Sequence, residues 1–142
     1  MRTTSFVRSL LGVGLGLGLL LATAPVAAHH AFAAEFDASK VVTMKGTVTG
    51  MEWINPHAWV HISVKDKDGK PVEWAVELGP PNGLYRRGWT KNTVPLGMEI
   101  VVTGFLAKDG SNKFNGRDAQ FPDGRSVFVG SEGTGAPEFE KN

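Results

Sequence analysis

Four histidines are the residues of this chain best suited to bind a metal ion. His29 and His30 are adjacent near the amino end, and His57 and His61 lie further along the chain. Neutral imidazole is the commonest metal ligand in proteins. The chain has no cysteine, which excludes disulfides, thiolate metal sites and a cysteine nucleophile. A metal site here would use nitrogen ligands, and nitrogen-rich tetragonal sites suit Cu(II) or Ni(II).

The segment before these histidines is typical of a secretory signal peptide. Residues 10–21 form an apolar run that is too short to span a bilayer, and Arg2 and Arg8 precede it. Small residues at Val26 and Ala28 fit the two specificity positions of a signal-peptidase site. We therefore predict cleavage after Ala28 and a mature protein that is periplasmic or secreted.

Cleavage at this point would make the amino end a chelating group. The amine and imidazole of His29 could bind one ion, and His30 or His57 would complete a set of three nitrogens. Cleavage after Ala27 instead would make His30 the third residue, which binds Cu(II) or Ni(II) through the amine, two deprotonated amides and an imidazole. Both cuts predict the same metals, so copper is the cofactor that we consider. The alternative is that the two histidines form a solvated chain end without metal, and that His57 only bonds to the backbone in a turn.

His57 and His61 are not expected to chelate one ion together. Residues 57–65 alternate apolar and polar side chains, which is the pattern of a half-buried strand. At ~3.3 Å per residue the two Cα atoms would lie ~13 Å apart. A single ion with bonds of ~2 Å to nitrogen could barely join them.

An outward-facing tryptophan supports a different function. Trp59 is out of phase with the apolar side of its strand and lies between His57 and His61. It could form a stacking platform on a barrel face, where OB-type proteins bind their ligands. The alternative to a ligand-binding role is a structural one, in which residues 32–36 fold back over Trp59 and cover it. We favour this covering role.

An adjacent pair, Arg86 and Arg87, completes this candidate binding surface. Adjacent side chains on a short helix point in different directions, so the two arginines need not act together. One could pair with Glu73 or Glu77, and the other could bind an anion. Together with Trp59 and His61 they define the alternative function: a metal-free interaction module that binds a peptide, a glycan or a small anion. No nucleophile elbow, phosphate loop or paired-carboxylate motif is recognisable, so the sequence does not predict an enzyme.

The charge balance excludes one class of partner. Formal net charge is +1 for the whole chain of 142 residues, with 15 basic and 14 acidic side chains. Removal of residues 1–28 leaves 142 − 28 = 114 residues and removes two arginines, so the net charge becomes 13 − 14 = −1. Without a basic excess, nucleic-acid binding is disfavoured. No later segment is apolar enough to span a membrane, so no membrane partner is predicted after cleavage.

The remaining chain predicts one mainly β domain over residues 29–130, followed by a flexible tail over 131–142. Proline early and glycine late predict one short helix between the third and fourth strands. This order is typical of a small OB-like barrel of five or six strands, with a β-sandwich as the main alternative. In the third strand Trp74 is in phase with the apolar face and is predicted to be core. The predicted strands are Val41–Trp53, His57–Lys65, Val72–Leu78, Glu99–Ala107 with Ile100, Val102 and Phe105 inward, and a pairing of Ala119–Phe121 with Ser126–Val129.

Several short motifs are distributed along the predicted mature chain. They are His29-His30-Ala31-Phe32, Phe36-Asp37, Lys45-Gly46-Thr47-Val48, Glu52-Trp53, Asn55-Pro56-His57, Pro81-Asn82-Gly83-Leu84, Arg86-Arg87-Gly88-Trp89 and Lys108-Asp109-Gly110-Ser111-Asn112. With these motifs the chain resembles a family of small secreted bacterial proteins that is known as domain of unknown function 6152. The resemblance covers nearly all of the predicted mature chain up to Gly130. It implies a one-domain exported β protein and carries no activity, substrate or site residue with it.

Overall fold

The computed structural model describes residues 32–132 and 134–137, in which a single sheet of six β-strands dominates. One short helix, α1, separates the third and fourth strands, and residues 32–35 are also helical. No helix in these two ranges is long and apolar enough to cross a membrane. The elements are β1 (Phe36–Glu52), β2 (Trp59–Lys65), β3 (Pro71–Glu77), α1 (Pro81–Arg86), β4 (Glu99–Ala107), β5 (Lys113–Gln120) and β6 (Ser126–Phe128).

The pairing of the strands closes the sheet into a ring. The order is β3-β2-β1-β4-β5-β6, and these neighbours pair antiparallel. β3 also pairs in parallel with β5, which joins the two ends of the five-stranded run. The predicted fold class is therefore confirmed: a mainly β chain, compatible with a small OB-like barrel, with its short helix between strands three and four.

Alternation along β2 and β3 separates an inner face from an outer face. Val60, Ile62 and Val76 are fully buried inside, as the sequence pattern predicted. Trp74 lies on the same inner face, but it is only partly buried and packs against the edge of the core. The fully buried tryptophan is Trp89, which follows α1 and is 2% exposed.

A second apolar cluster lies on the outer face of the sheet. Phe105 was predicted to point inward together with Val102, but the regular pairing of β4 with β1 places the two side chains on opposite faces. Phe105 is nevertheless 1% exposed, because Phe32 and Phe36 cover it. The rings of Phe32 and Phe105 meet edge to face at 5.4 Å. The helical segment 32–35 and the start of β1 therefore pack against the outer face of the sheet.

A β-bulge in β5 sets the side chains that face this cluster. Thr103 pairs with Asp118 and Gly104 pairs with Gly116, which leaves one extra residue on β5. A Cβ atom at Gly104 would overlap the backbone carbonyl of Asn115, so glycine is required for the two strands to approach this closely. The bulge thus allows Asn115 to face outward, toward the covered side of the sheet.

The chain after β6 packs back onto the domain. The guanidinium groups of Arg87 and Arg117 both stack on the ring of Phe128, with their central carbons 4.8 and 4.7 Å from its centre. Arg87 also donates to the Glu132 carboxylate at 2.6 Å. Within the tail that was predicted to be flexible, Ser131 is buried, and the partly buried side chain at position 136 packs on the outer apolar cluster.

Candidate functional site

His57 is held at the junction between β1 and β2 by backbone contacts on its carboxyl side. A cis peptide bond joins Asn55 and Pro56 immediately before it. The next residue, Ala58, donates its N–H to Gly79 and accepts the N–H of Leu78, at 3.1 and 2.8 Å. These bonds tie the loop to the chain just after β3. His57 therefore precedes β2, which begins at Trp59, and lies beside the end of β3.

The residue that His57 meets at the end of β3 is Glu77. Its side chain points to the outer face of the sheet, but the whole residue is only 7% exposed. His57 Nδ1 lies 3.4 Å from Glu77 Oε1. The same oxygen accepts a hydrogen bond of 3.0 Å from Asn115 Nδ2 on the neighbouring strand β5. The three side chains form a connected polar cluster in largely buried surroundings.

Burial sets the protonation behaviour of this carboxyl group. Loss of water around Glu77 raises its pKa, and the nearby carboxylate of Glu35 acts in the same direction. His57, the hydrogen bond from Asn115 and the ammonium of Lys113 oppose that rise without cancelling it. A carboxyl group in such surroundings interacts more strongly with a neighbouring cation or proton donor than an exposed one does.

A pocket of about 120 Å³ opens beside the cluster. The segment before β1 supplies part of its wall, and Thr134 from the carboxyl-terminal segment supplies another part. Asn115 Oδ1 is buried and has no hydrogen-bond partner in the described part of the chain. The pocket is large enough for several water molecules or a small ligand. Its lining residues are Phe32, Glu35, Phe36, His57, Glu77, Asn115 and Thr134.

Of the three predicted metal ligands, the structure places His57 in this pocket. His29 and His30 lie outside the described residues, so their part of the prediction stays a prediction. Phe32, which begins the described chain, lines the same pocket as His57. Within residues 32–132 and 134–137, no three side chains of the His, Cys, Asp or Glu type lie close enough together to hold a metal ion.

His61 belongs to a separate part of the surface. Its Nε2 atom lies 2.6 Å from Glu52 Oε1, across the pairing of β2 with β1. His57 and His61 therefore each face a different carboxylate. Trp59, between them, is partly exposed on the outer face of β2. Residues 32–36, which were predicted to fold back over Trp59, use their two aromatic rings to cover the outer face of β4 instead.

The two arginines of the candidate surface do not act on the predicted carboxylates. Arg87 bonds to Glu132 and stacks on Phe128, so its partner is neither Glu73 nor Glu77. Arg86 is exposed at the end of α1. The bonds of Arg87 go to the segment after β6, whereas Trp59 and His61 lie on β2, and no contact within the described residues joins the two sets into one site.

Sequence reasoning did not find Glu77 or Asn115 as site residues. The alternation of β3 places Glu77 on an outer face, where a glutamate is ordinarily solvated. Asn115 carries no signal of its own, because its position depends on the bulge in β5. Both are buried in the folded chain and line a pocket together with residues of the segment before β1, and periodicity within a strand does not report such contacts.

Comparison with known proteins adds a family without adding an activity. The model of a family described as a family of unknown function (DUF6152) matches residues 18–116, more than half of the chain. No curated protein and no solved structure matches the chain significantly.

Proposed function

Because this chain belongs to the DUF6152 family, whose function is unknown, we propose a function from its own residues: an exported protein that binds Cu(II) through the amino end of its mature chain. The ligands are the amine and imidazole of His29, together with His30 and His57. His57 is the only one of the three that the domain itself positions in the described structure. Nitrogen ligands of this kind favour Cu(II) over Zn(II).

One observation carries the proposal: Phe32 and His57 line the same pocket. His29 lies three residues before Phe32, so its Cα can be no more than about 11 Å from that of Phe32. The packing of Phe32 against Phe105 fixes the near end of this short tether. This short distance along the chain supports the proposal that the predicted chelating end can reach His57, whereas His61 faces Glu52.

Replacement of single histidines tests the contribution of the domain. Loss of an outer-shell partner alone costs metal sites about 10–100-fold in affinity, so loss of a ligand through His57→Ala should weaken Cu(II) binding at least about 10-fold. The matched control, His61→Ala, should change it little. Isothermal titration of the mature protein with Cu(II), followed by the d–d absorption band, measures both. Equal affinity for the His57→Ala protein and the native protein would remove His57 from the site.

Export and processing form the other half of the proposal. The run of residues 10–21 and the small residues at Val26 and Ala28 support cleavage before His29. The intact mass of the exported protein should therefore correspond to a chain that starts at His29. A start at Ala28 would retain a copper-binding end with His30 as third residue, whereas an uncleaved Met1 start would contradict both the location and the terminal metal site.

A metal-free interaction module remains the second candidate. The observation that favours it is the partly exposed Trp59 on the outer face of β2, beside the hydrogen bond between His61 and Glu52. Such a surface would take a peptide, a glycan or a small anion, with the exposed Arg86 as a separate cation on α1. Failure of the mature protein to bind Cu(II) more tightly than Zn(II) would favour this function.

A further inference from the structure

We propose that the pocket beside Glu77 and Asn115 binds a small organic cation: a compact apolar molecule that carries a protonated amine with N–H donors. The site needs no metal ion, and the residues that define its ligand all belong to the described structure. It therefore goes beyond the proposed function. Three features of the pocket select this class of ligand: a buried acceptor, an excess of carboxylates and an apolar wall.

The first support is a buried hydrogen-bond acceptor that the described protein leaves without a donor. Asn115 lines the pocket and is 3% exposed. Its Nδ2 atom donates to Glu77 Oε1 at 3.0 Å, so the donor side of this amide is engaged. Its Oδ1 atom is buried, and no donor within residues 32–132 and 134–137 bonds to it. A buried acceptor without a partner lowers stability, and a ligand that supplies an N–H to Oδ1 would remove that cost.

The second support is the charge around the pocket. Glu35 and Glu77 both line it. The ammonium of Lys113 interacts with Glu77, but it also lies 3.5 Å from Glu35 and 3.8 Å from Asp109. This one positive charge is therefore shared among three carboxylates, and a second cation would be attracted to the group.

The protonation behaviour of Glu77 agrees with this charge balance. Burial raises the pKa of Glu77, and the carboxylate of Glu35 adds to the rise. His57, Asn115 and Lys113 act in the opposite direction but do not restore the ordinary value. A cation in the pocket would stabilise the ionised form of Glu77, whereas an anion would be repelled by it.

The third support is the apolar wall of the pocket. Phe32 and Phe36 form this wall, and their rings stack with centres 5.8 Å apart. The backbone of the wall is held in place, because the N–H of Lys108 donates to the Glu35 carbonyl at 2.9 Å. A volume of about 120 Å³ suits a compact molecule rather than a peptide or a glycan. The wall would contact the apolar body of the ligand, and the acceptors opposite would bind its ammonium group.

Titration of the metal-free protein with four probes of similar size tests the class of ligand. n-Butylammonium has the charge, the N–H donors and the apolar body. n-Butanol lacks the charge, tetramethylammonium lacks the N–H donors, and butyrate has the opposite charge. At about pH 8 the alkylamine is protonated, and ¹H–¹⁵N NMR spectra give both the affinity of each probe and the place where it binds.

We expect n-butylammonium to bind at least about 10-fold more tightly than each of the other three probes, because hydrogen bonds that involve a charged group are the stronger ones. Its binding should shift the side-chain amide signals of Asn115 and the backbone signal of Phe36. An n-butanol or tetramethylammonium affinity equal to that of n-butylammonium would overturn the proposal. Binding of n-butylammonium without a shift at Asn115 would also overturn it.

Replacement of one carboxylate tests the role of Glu77. Glu77→Gln removes the charge but keeps the shape of the side chain and an oxygen for Asn115, so it should weaken n-butylammonium binding at least about 10-fold. The matched control is Glu52→Gln, which removes the same charge at the hydrogen bond with His61, outside the pocket, and should leave the affinity unchanged. An equal loss in both variants would show that binding follows the overall charge of the protein, and the pocket would then not be the site.

These measurements are independent of copper binding. A chelator removes metal before each titration, and the comparison of probes on the native protein does not depend on the folding of any variant. A protein that binds Cu(II) but not n-butylammonium would retain the proposed function and overturn the cation site. A protein that binds n-butylammonium in the pocket but not Cu(II) would retain the cation site and overturn the proposed function.

Discussion

Four residues added before His29 should weaken Cu(II) binding by about 100-fold or more, which is the lower range of what a second linked contact contributes to affinity. The addition, for example Gly-Ser-Gly-Ser, moves the amine away from the first histidine and removes the amine–imidazole chelate. It leaves His30 and His57 available as separate imidazoles, so weaker binding should persist. Titration of both mature proteins with Cu(II) measures the difference.

The length of the addition matters because of His30. One added residue would make His30 the third residue of the chain, and that arrangement binds Cu(II) through the amine, two amides and the imidazole. The matched control carries the same four residues after Asn142, at the opposite end of the chain, and should bind like the native protein. Equal affinity for the two extended proteins would show that the amine of His29 is not a ligand.

Trp89→Ala should lower the free energy of unfolding by about 3–5 kcal/mol, the usual cost of emptying a large aromatic core site. Trp89 is 2% exposed, and its ring lies 5.4 Å from that of Phe121. Its side chain belongs to the same buried core cluster as Leu84 in α1, and its backbone N–H donates to the Leu84 carbonyl at 3.0 Å. Denaturant unfolding of the metal-free protein measures the change from the transition midpoint and slope.

Trp74→Ala is the matched control for this prediction. Trp74 meets Phe114 edge to face at 6.1 Å but is only partly buried, so less apolar area is lost and water can enter the vacated space. Trp89→Phe should also cost less than Trp89→Ala, because the phenyl ring keeps most of the contact. The Nε1 atom of Trp89 has no hydrogen-bond partner in the described part of the chain, so no bond is lost with it. A larger loss for Trp74→Ala than for Trp89→Ala would contradict this assignment of the core.

The strands β2, β3 and β4 were predictable because alternation of side chains is a local property, whereas β1 begins at Phe36 rather than Val41 and β5 at Lys113 rather than Ala119. Alternation in residues 57–65 correctly separated the buried Val60 and Ile62 from the outer Trp59 and His61. β4 has the predicted limits, Glu99–Ala107. The same local rule failed at Phe105, whose burial comes from a segment 70 or so residues earlier in the chain rather than from its own strand. The apolar character of Phe105 predicted that it would be buried, but it did not predict on which face of the sheet.

The burial of the two tryptophans Trp74 and Trp89 shows the same difference between what a local pattern predicts and what long-range packing decides. Trp74 could be assigned to the inner face because it belongs to a strand with a period of two. Trp89 lies between α1 and β4, where no period applies, and it is buried because it packs into the main core cluster beside Phe121. The depth to which a residue is buried depends on its position relative to the ends of the sheet, which a strand pattern does not contain.

The sequence by itself determined the residue types of the candidate site and a mainly β fold with one short helix. These follow from composition, from covalent order and from local periodicity. Only the tertiary structure decided that His57 faces Glu77, that Asn115 donates a hydrogen bond to this glutamate, and that Phe32 lines the same pocket. Those contacts join four separate stretches of the chain through the closure of the sheet and the packing of an outer segment, and such long-range geometry has no signature in the order of neighbouring residues.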